Sequence, residues 1–174
     1  MQKGFATLEI IFVVLIISIL TAVAVPRAKN FVEKATLDYE QKRLYSELKF
    51  LQTFNRSAAV SDTGMDGTFT VGSTRAVMHF YNGQSYEILR TDKPIRDEHK
   101  LSNGVNFSLD NTGSFRIQCD NDGKYQINGK NPFSSSNVLE KTVVLKPKNH
   151  RYGSYVPTIV FDSVGRIRGG REKR

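Results

Sequence analysis

Four groupings of residues have types that can do chemistry. Asp97-Glu98-His99 sets two carboxylates beside an imidazole, the parts of a general acid–base pair. Neighbours on a strand or loop point apart, however, and no nucleophile accompanies them. A solvated loop is expected here, Asp92-Lys93-Pro94 and then Arg96 to Lys100. Asp120-Asn121-Asp122-Gly123 has the spacing that opens a calcium loop, but the glutamate that closes such a loop is missing downstream. A hairpin turn is the expectation. A lone Cys119 excludes an intramolecular disulfide framework and a multi-cysteine metal site, and it is expected to be buried on a strand. His79, His99 and His150 lack a ligand spacing. No catalytic residue, metal site or cofactor is assigned, which points away from an enzyme.

Two further features concern charge. Glu9 is the one charged residue in the apolar run Phe5 to Val25, which is 21 residues long. A carboxylate in a membrane helix costs about 2.5–3.5 kcal/mol and calls for a partner. At the other end, residues 141–174 hold nine Lys/Arg against Asp162 and Glu172, which gives +7 of the chain's net +8. Such asymmetry points to an anionic partner: nucleic acid, a lipid headgroup surface or an acidic protein. The alternative is a solubilising tail.

Three elements must position these residues. The apolar run is roughly 31 Å long as a helix, close to the ~30 Å hydrocarbon core. Pro26 follows it; lacking an amide hydrogen, it is expected to kink or locally melt the helix. Beyond it, Leu37, Leu44, Leu48, Leu51 and Ala58 form one helical stripe to about Val60. Charged residues including Glu40 and Glu47 are placed mostly on other faces, with salt-bridge spacing at Asp38/Lys42 and Glu40/Arg43. Ser61-Asp62-Thr63-Gly64 is a stop signal.

From Gly67 the period becomes two. Strands are expected at 68–71, 76–81, 86–89, 105–109, 115–119, 125–127, 141–145, 158–161 and 164–168. Asn82-Gly83 is a hairpin turn, and 128–137 a surface loop. The predicted class is α+β: a long N-terminal helix on an antiparallel β-sheet or β-sandwich. The predicted organisation is a leader 1–4, a transmembrane and assembly helix 5–26, an amphipathic helix 27–60, and a β-rich head 61–174 with a basic tail.

The apolar run admits an uncleaved signal anchor, or a secretory signal cut after Ala22-Val23-Ala24, but neither has a use for Glu9. Lys3-Gly4-Phe5-Ala6-Thr7-Leu8-Glu9 resembles the class III signal of type IV pilins and type II secretion pseudopilins. That resemblance implies cleavage after Gly4 by the prepilin peptidase, N-methylation of Phe5, and assembly roles for Glu9 and Pro26. The new α-ammonium of Phe5 in one subunit would pair with Glu9 of a neighbour, offsetting two desolvation costs. The layout is similar to the GspH/FimT-like branch. Asn55-Arg56-Ser57-Ala58-Ala59-Val60 and Phe161-Asp162-Ser163-Val164-Gly165-Arg166-Ile167-Arg168 carry that similarity. The implied partners are other pilin or pseudopilin subunits, the prepilin peptidase and the cytoplasmic membrane.

The resemblance also implies DNA as a partner, because Gly165-Arg166-Ile167-Arg168 is similar to a stretch of FimT-like subunits associated with DNA uptake. Alternation would put Arg166 and Arg168 on one strand face, roughly 6–7 Å apart. Gly169-Gly170 would free Arg171, Lys173 and Arg174 to reach further phosphates, giving salt-sensitive, sequence-independent binding. Arg151, Tyr152 and Tyr155 are additional candidates. The competing reading is turn chemistry plus an edge strand blunted by charge. For the chain as a whole, the alternative is a signal-anchored or secreted β-domain with no assembly role.

Overall fold

The computed structural model describes residues 3–58, 75–91, 93–102, 104–109, 112–120, 122–128, 142–147, 156–162 and 164–172. Among these, one helix, α1 (Lys3–Ala58), precedes nine strands: β1 (Ala76–Tyr81), β2 (Ser85–Arg90), β3 (Lys93–Lys100), β4 (Val105–Leu109), β5 (Phe115–Cys119), β6 (Tyr125–Ile127), β7 (Thr142–Pro147), β8 (Val156–Phe161) and β9 (Ile167–Glu172). The architecture is α+β, as expected. The chain divides into two units, Met1–Thr36 and Leu37–Arg174. The expected stop at residues 61–64, the strand at 68–71, most of the 128–137 loop, and Arg151, Tyr152 and Tyr155 lie outside the described residues.

Among the described residues, the first unit is helix alone. It is long and apolar enough to cross a membrane, a character it shares with signal sequences. Its large apolar side chains are exposed from Leu8 to Val25. The helix runs through Pro26 without a break, so the expected local melting does not occur. The ring deprives one carbonyl of its donor, but the bonds of the flanking turns hold the backbone helical.

The second unit is built from two antiparallel sheets, one ordered β3-β2-β1-β5-β6 and the other β4-β7-β8-β9. The helical stripe supplies Leu37, Leu44, Leu48 and Leu51 to a single core, with Met78, Ile88, Phe107, Ile117, Leu145 and Ile159 from both sheets. Burying each such side chain stabilises by about 1.5–3 kcal/mol. Phe80 anchors an aromatic cluster, stacked on Phe115 at 4.2 Å and edge-on to Phe107 at 4.7 Å. Cys119 is buried on β5, as expected, and burial pushes its thiol up to about 12.

The Asn82-Gly83 turn forms as its sequence demands. Both residues have positive φ, at 48° and 70°, and the Gln84 amide donates to the Tyr81 carbonyl at 2.9 Å. This turn also ties the sheets together. The Gly83 amide donates to the Gly113 carbonyl at 2.7 Å, and the Gly83 carbonyl accepts from Phe107 of β4 at 2.9 Å. A Cβ on Gly113 would lie 2.6 Å from the Gly83 nitrogen, so the approach needs a glycine there.

Three expectations are corrected. Asp92 lies outside the described residues, and residues 93–100 are not a loop, since they form edge strand β3, paired with β2 across a bulge. Its side chains are largely exposed, so no apolar alternation announces it, and Pro94 is tolerated because an edge strand has a free side. Glu40 and Glu47 are buried, at 1% and 7% exposure, rather than on the solvated face. Positions 40, 44, 47, 48, 51, 52 and 55 fall on one helical face, and that face is mixed in polarity. The last strand begins at Ile167, not Val164, because Asp162 to Arg166 form the β8–β9 turn.

Candidate functional site

At the N-terminal end, α1 begins at Lys3, so Gly4 and Phe5 lie in its first turn. Two polar side chains within the apolar run return their hydroxyls to the helix. Ser18 donates to the Val14 carbonyl and Thr21 to the Ile17 carbonyl, each at 2.7 Å. Glu9 has no such outlet. Its side chain is exposed, and among the described residues none pairs with it. A carboxylate on an otherwise apolar helix surface is costly to place in lipid.

At the basic end, β9 is an edge strand of the four-stranded sheet. Arg166 sits in the turn before it, while Arg168 and Arg171 lie on it. Arg166 and Arg168 do converge, though on an acid: Asp162 Oδ2 is 3.7 Å from Arg166 Nε and 3.4 Å from Arg168 Nη2. Arg171 reaches elsewhere, donating to both oxygens of Asp38 on α1 at 3.1 and 2.9 Å. The three arginine side chains keep 61–68% exposure. Pairs this wet contribute little to stability, about 0–1 kcal/mol each, and leave the guanidinium faces open to a further anion. Lys173 and Arg174 lie outside the described residues.

The expectation that Gly169-Gly170 acts as a flexible link is corrected. Both residues are in the ladder, opposite Ile159 and Thr158. Their lack of side chains serves packing. Gln41 of α1 donates to the Thr158 and Gly170 carbonyls at 2.8 and 2.9 Å, and a Cβ on Gly169 would lie 3.4 Å from that amide nitrogen. Gly165, the glycine of the Gly-Arg stretch, is likewise a structural requirement. Its φ is +78°, and a Cβ there would lie 2.3 Å from the Gly123 carbonyl oxygen. The turn-chemistry reading therefore accounts for Gly165.

The end of α1 docks on these same turns. Gln52 donates to the Gly123 and Gly165 carbonyls, both at 2.7 Å. Asn55 bridges β1 and β5: it accepts from the Ala76 amide and donates to the Ala76 and Cys119 carbonyls, at 2.7, 2.8 and 3.1 Å. Arg56 donates to the Asp122 carbonyl at 3.0 Å. The Asp120–Lys124 segment is the β5–β6 turn, as expected, closed by Lys124 N–H donating to Asp120 Oδ1 at 2.6 Å.

Sequence reasoning missed a polar seam between α1 and β3. Glu40 accepts from the Ser102 amide at 2.9 Å and from the Ser102 hydroxyl at 2.5 Å, and lies 2.9 Å from His99 Nε2. Burial raises the Glu40 carboxyl, but the Ser102 and His99 bonds outweigh it and leave the group below its ordinary value. Arg96 donates to Glu47 Oε1 at 2.9 Å while lying 4.1 Å over the Phe50 ring. His99 thus finds its acid on the helix, not in Asp97-Glu98. The predicted helical partners Lys42 and Arg43 are replaced too: Asp38 pairs with Arg171 and Glu40 with His99. Sequence signals for this seam were slight: acids at positions of the core stripe, and a basic-plus-His strand without apolar period.

No protein-family model, curated protein or solved structure matches this chain. Among the described residues, no group of three or more His, Cys, Asp or Glu is placed to hold a metal ion.

Proposed function

We propose that this chain is a minor pilin or pseudopilin subunit, a structural protein rather than an enzyme. In this reading it inserts in the cytoplasmic membrane with its β-rich unit on the outer side. The prepilin peptidase cuts after Gly4, Phe5 is N-methylated, and subunits assemble through the apolar helix into a type IV pilus or type II secretion pseudopilus. The observation that supports it is Glu9: a lone, exposed carboxylate on an apolar helix, five residues after Gly4-Phe5, with no partner among the described residues. Pairing with the α-ammonium of a neighbouring subunit would satisfy both charges and set the axial register. A plain signal anchor or a secreted β-domain has no use for such a group.

The test is co-expression with a prepilin peptidase, followed by mass spectrometry of the N-terminus and cross-linking of membrane-embedded subunits. Processing to a methylated Phe5 is expected, with Glu9→Ala inserting normally but losing cross-linked multimers. An intact N-terminus, or undiminished multimers in Glu9→Ala, returns the chain to the anchored β-domain reading.

A second reading, DNA binding for uptake, is favoured by the convergence of Arg166 and Arg168 and their exposure, and opposed by Asp162 between them. It predicts salt-dependent gel shifts of duplex DNA that Arg166→Gln/Arg168→Gln abolishes. The absence of a shift at low salt removes it.

A further inference from the structure

A sheet edge is a row of backbone donors and acceptors with which a further strand can pair. The two sheets have four edges, β3, β6, β4 and β9. Three are closed by their own structure. β3 carries Pro94 and breaks in its register. β6 is three residues long. On β4 the Phe107 and Leu109 amides, turned away from β7, already donate to the Gly83 and Thr112 carbonyls at 2.9 and 3.0 Å. β9 has none of these devices. It runs without proline, and its register against β8 is unbroken from Ile167 to Glu172.

The ladder fixes which groups β9 leaves open. The Asp162 amide donates to the Arg166 carbonyl at 2.8 Å, and bonded and unbonded pairs alternate from there. Arg168 and Gly170 therefore turn their amides and carbonyls to β8, while Ile167, Gly169 and Arg171 turn theirs outward. Pro157, which has no amide to give, stands opposite Arg171, as this phase requires. Gly169 has only backbone to expose, and it is exposed. Its missing side chain also lets another backbone come close.

Charge selects what pairs there. Arg166, Arg168 and Arg171 flank the edge at 61–68% exposure. Two copies pairing antiparallel about Gly169 would bring two Arg168 side chains to diagonal positions, about 7–8 Å apart, like charge against like. Phosphates of duplex DNA would answer the arginines but only accept, leaving the outward carbonyls without donors. An extended peptide answers both rows of backbone groups, and acids on it answer the arginines. We propose that β9 is a strand-addition edge that takes an extended, acidic segment of a partner protein, a role separate from assembly through the apolar helix.

The experiment uses the full chain in phosphatidylcholine nanodiscs with three fluorescein-labelled peptides: alternating Val-Glu, alternating Val-Lys, and alternating Pro-Glu, which is acidic but cannot pair as a strand. Anisotropy should report binding of the Val-Glu peptide alone. Its addition should slow amide exchange about tenfold or more at Ile167, Gly169 and Arg171, and leave Arg168 and Gly170, already bonded to β8, little changed. Gly169→Pro removes one outward amide and no ladder bond, and should weaken the peptide about tenfold or more. Gly169→Ala keeps that amide and should bind like wild type. Arg168→Glu, which leaves the backbone alone, should turn the preference toward the Val-Lys peptide. Equal binding of the Pro-Glu and Val-Glu peptides, undiminished binding by Gly169→Pro, or unchanged exchange at the three outward amides would overturn the proposal. So would binding of duplex DNA with no binding of the Val-Glu peptide.

Discussion

The two halves of α1 obey opposite rules for polar groups. From Leu8 to Val25 large apolar side chains are exposed, and the one carboxylate, Glu9, has no partner among the described residues. From Leu37 to Asn55 apolar side chains are buried, and so are Glu40, Glu47, Gln52 and Asn55. Nearly every polar atom of that second set is bonded to a strand or turn. The first half is long and apolar enough to cross a membrane. The second uses its polar residues as clamps: Glu40, Gln52 and Asn55 grip backbone groups, and Glu47 holds the Arg96 side chain. A helix can thus be read by asking where each polar group is answered: within the chain, or outside it.

The largest expected effect tests the clamps. Asn55→Leu keeps volume but strands the Ala76 amide and weakens two carbonyls. It should cost about 4 kcal/mol or more, from about 1–3 kcal/mol per stranded group, read by urea denaturation of the β-rich unit. If it unfolds like wild type, the buried amide is not a clamp and the contrast between the halves fails.

Next comes an apolar pair. Leu48→Ala should destabilise the β-rich unit by about 2–5 kcal/mol. Leu15→Ala should leave that transition unchanged, because Leu15 is exposed and belongs to the other unit. Equal losses in the two variants would show the halves to be energetically one.

A smaller effect is set by pH. Glu40 has a lowered pKa in the folded chain, so its bonds stabilise fully above the unfolded value of about 4.5, and that stability is lost as pH falls through the lower folded value. Thermal midpoints measured from pH 6 to pH 3 should fall less steeply for Glu40→Gln than for wild type. Parallel curves would place the acid sensitivity in other carboxylates.

The smallest effect lies on the surface. Arg171→Gln removes a pair in which Nη2 alone meets both Asp38 oxygens and which is 61% exposed on the arginine side, and should cost less than about 1 kcal/mol. Raising the salt should shrink the difference from wild type. A larger, salt-resistant loss would make β9 a clamp as well.

Much of the architecture was legible because it follows from local pattern. A 21-residue apolar run and a leucine stripe at helical spacing dictate α1, and Asn82-Gly83 dictates the β1–β2 turn with its two positive φ angles. Period-two alternation placed β1, β2, β4 and β5, because one face of each meets the core. Gly4, Phe5, Glu9 and Pro26 were legible as a motif, since the chemistry of a charge in an apolar helix needs no fold to be noticed.

Tertiary structure decided what depends on distant neighbours. β3 has no apolar face of its own; its place comes from a backbone ladder to β2 and from Glu40 and Glu47 on a helix about 50 residues earlier in the sequence. Gly169-Gly170 reads as a hinge in the sequence but packs as a ladder that lets Gln41 approach. Arg166 and Arg168 read as free cations but share Asp162, and Arg171 holds Asp38. Pattern fixes which residues seek burial, because transfer from water is a property of each side chain. Which polar groups then meet, and which are left unanswered, is set only when the helix and the sheets close on one another.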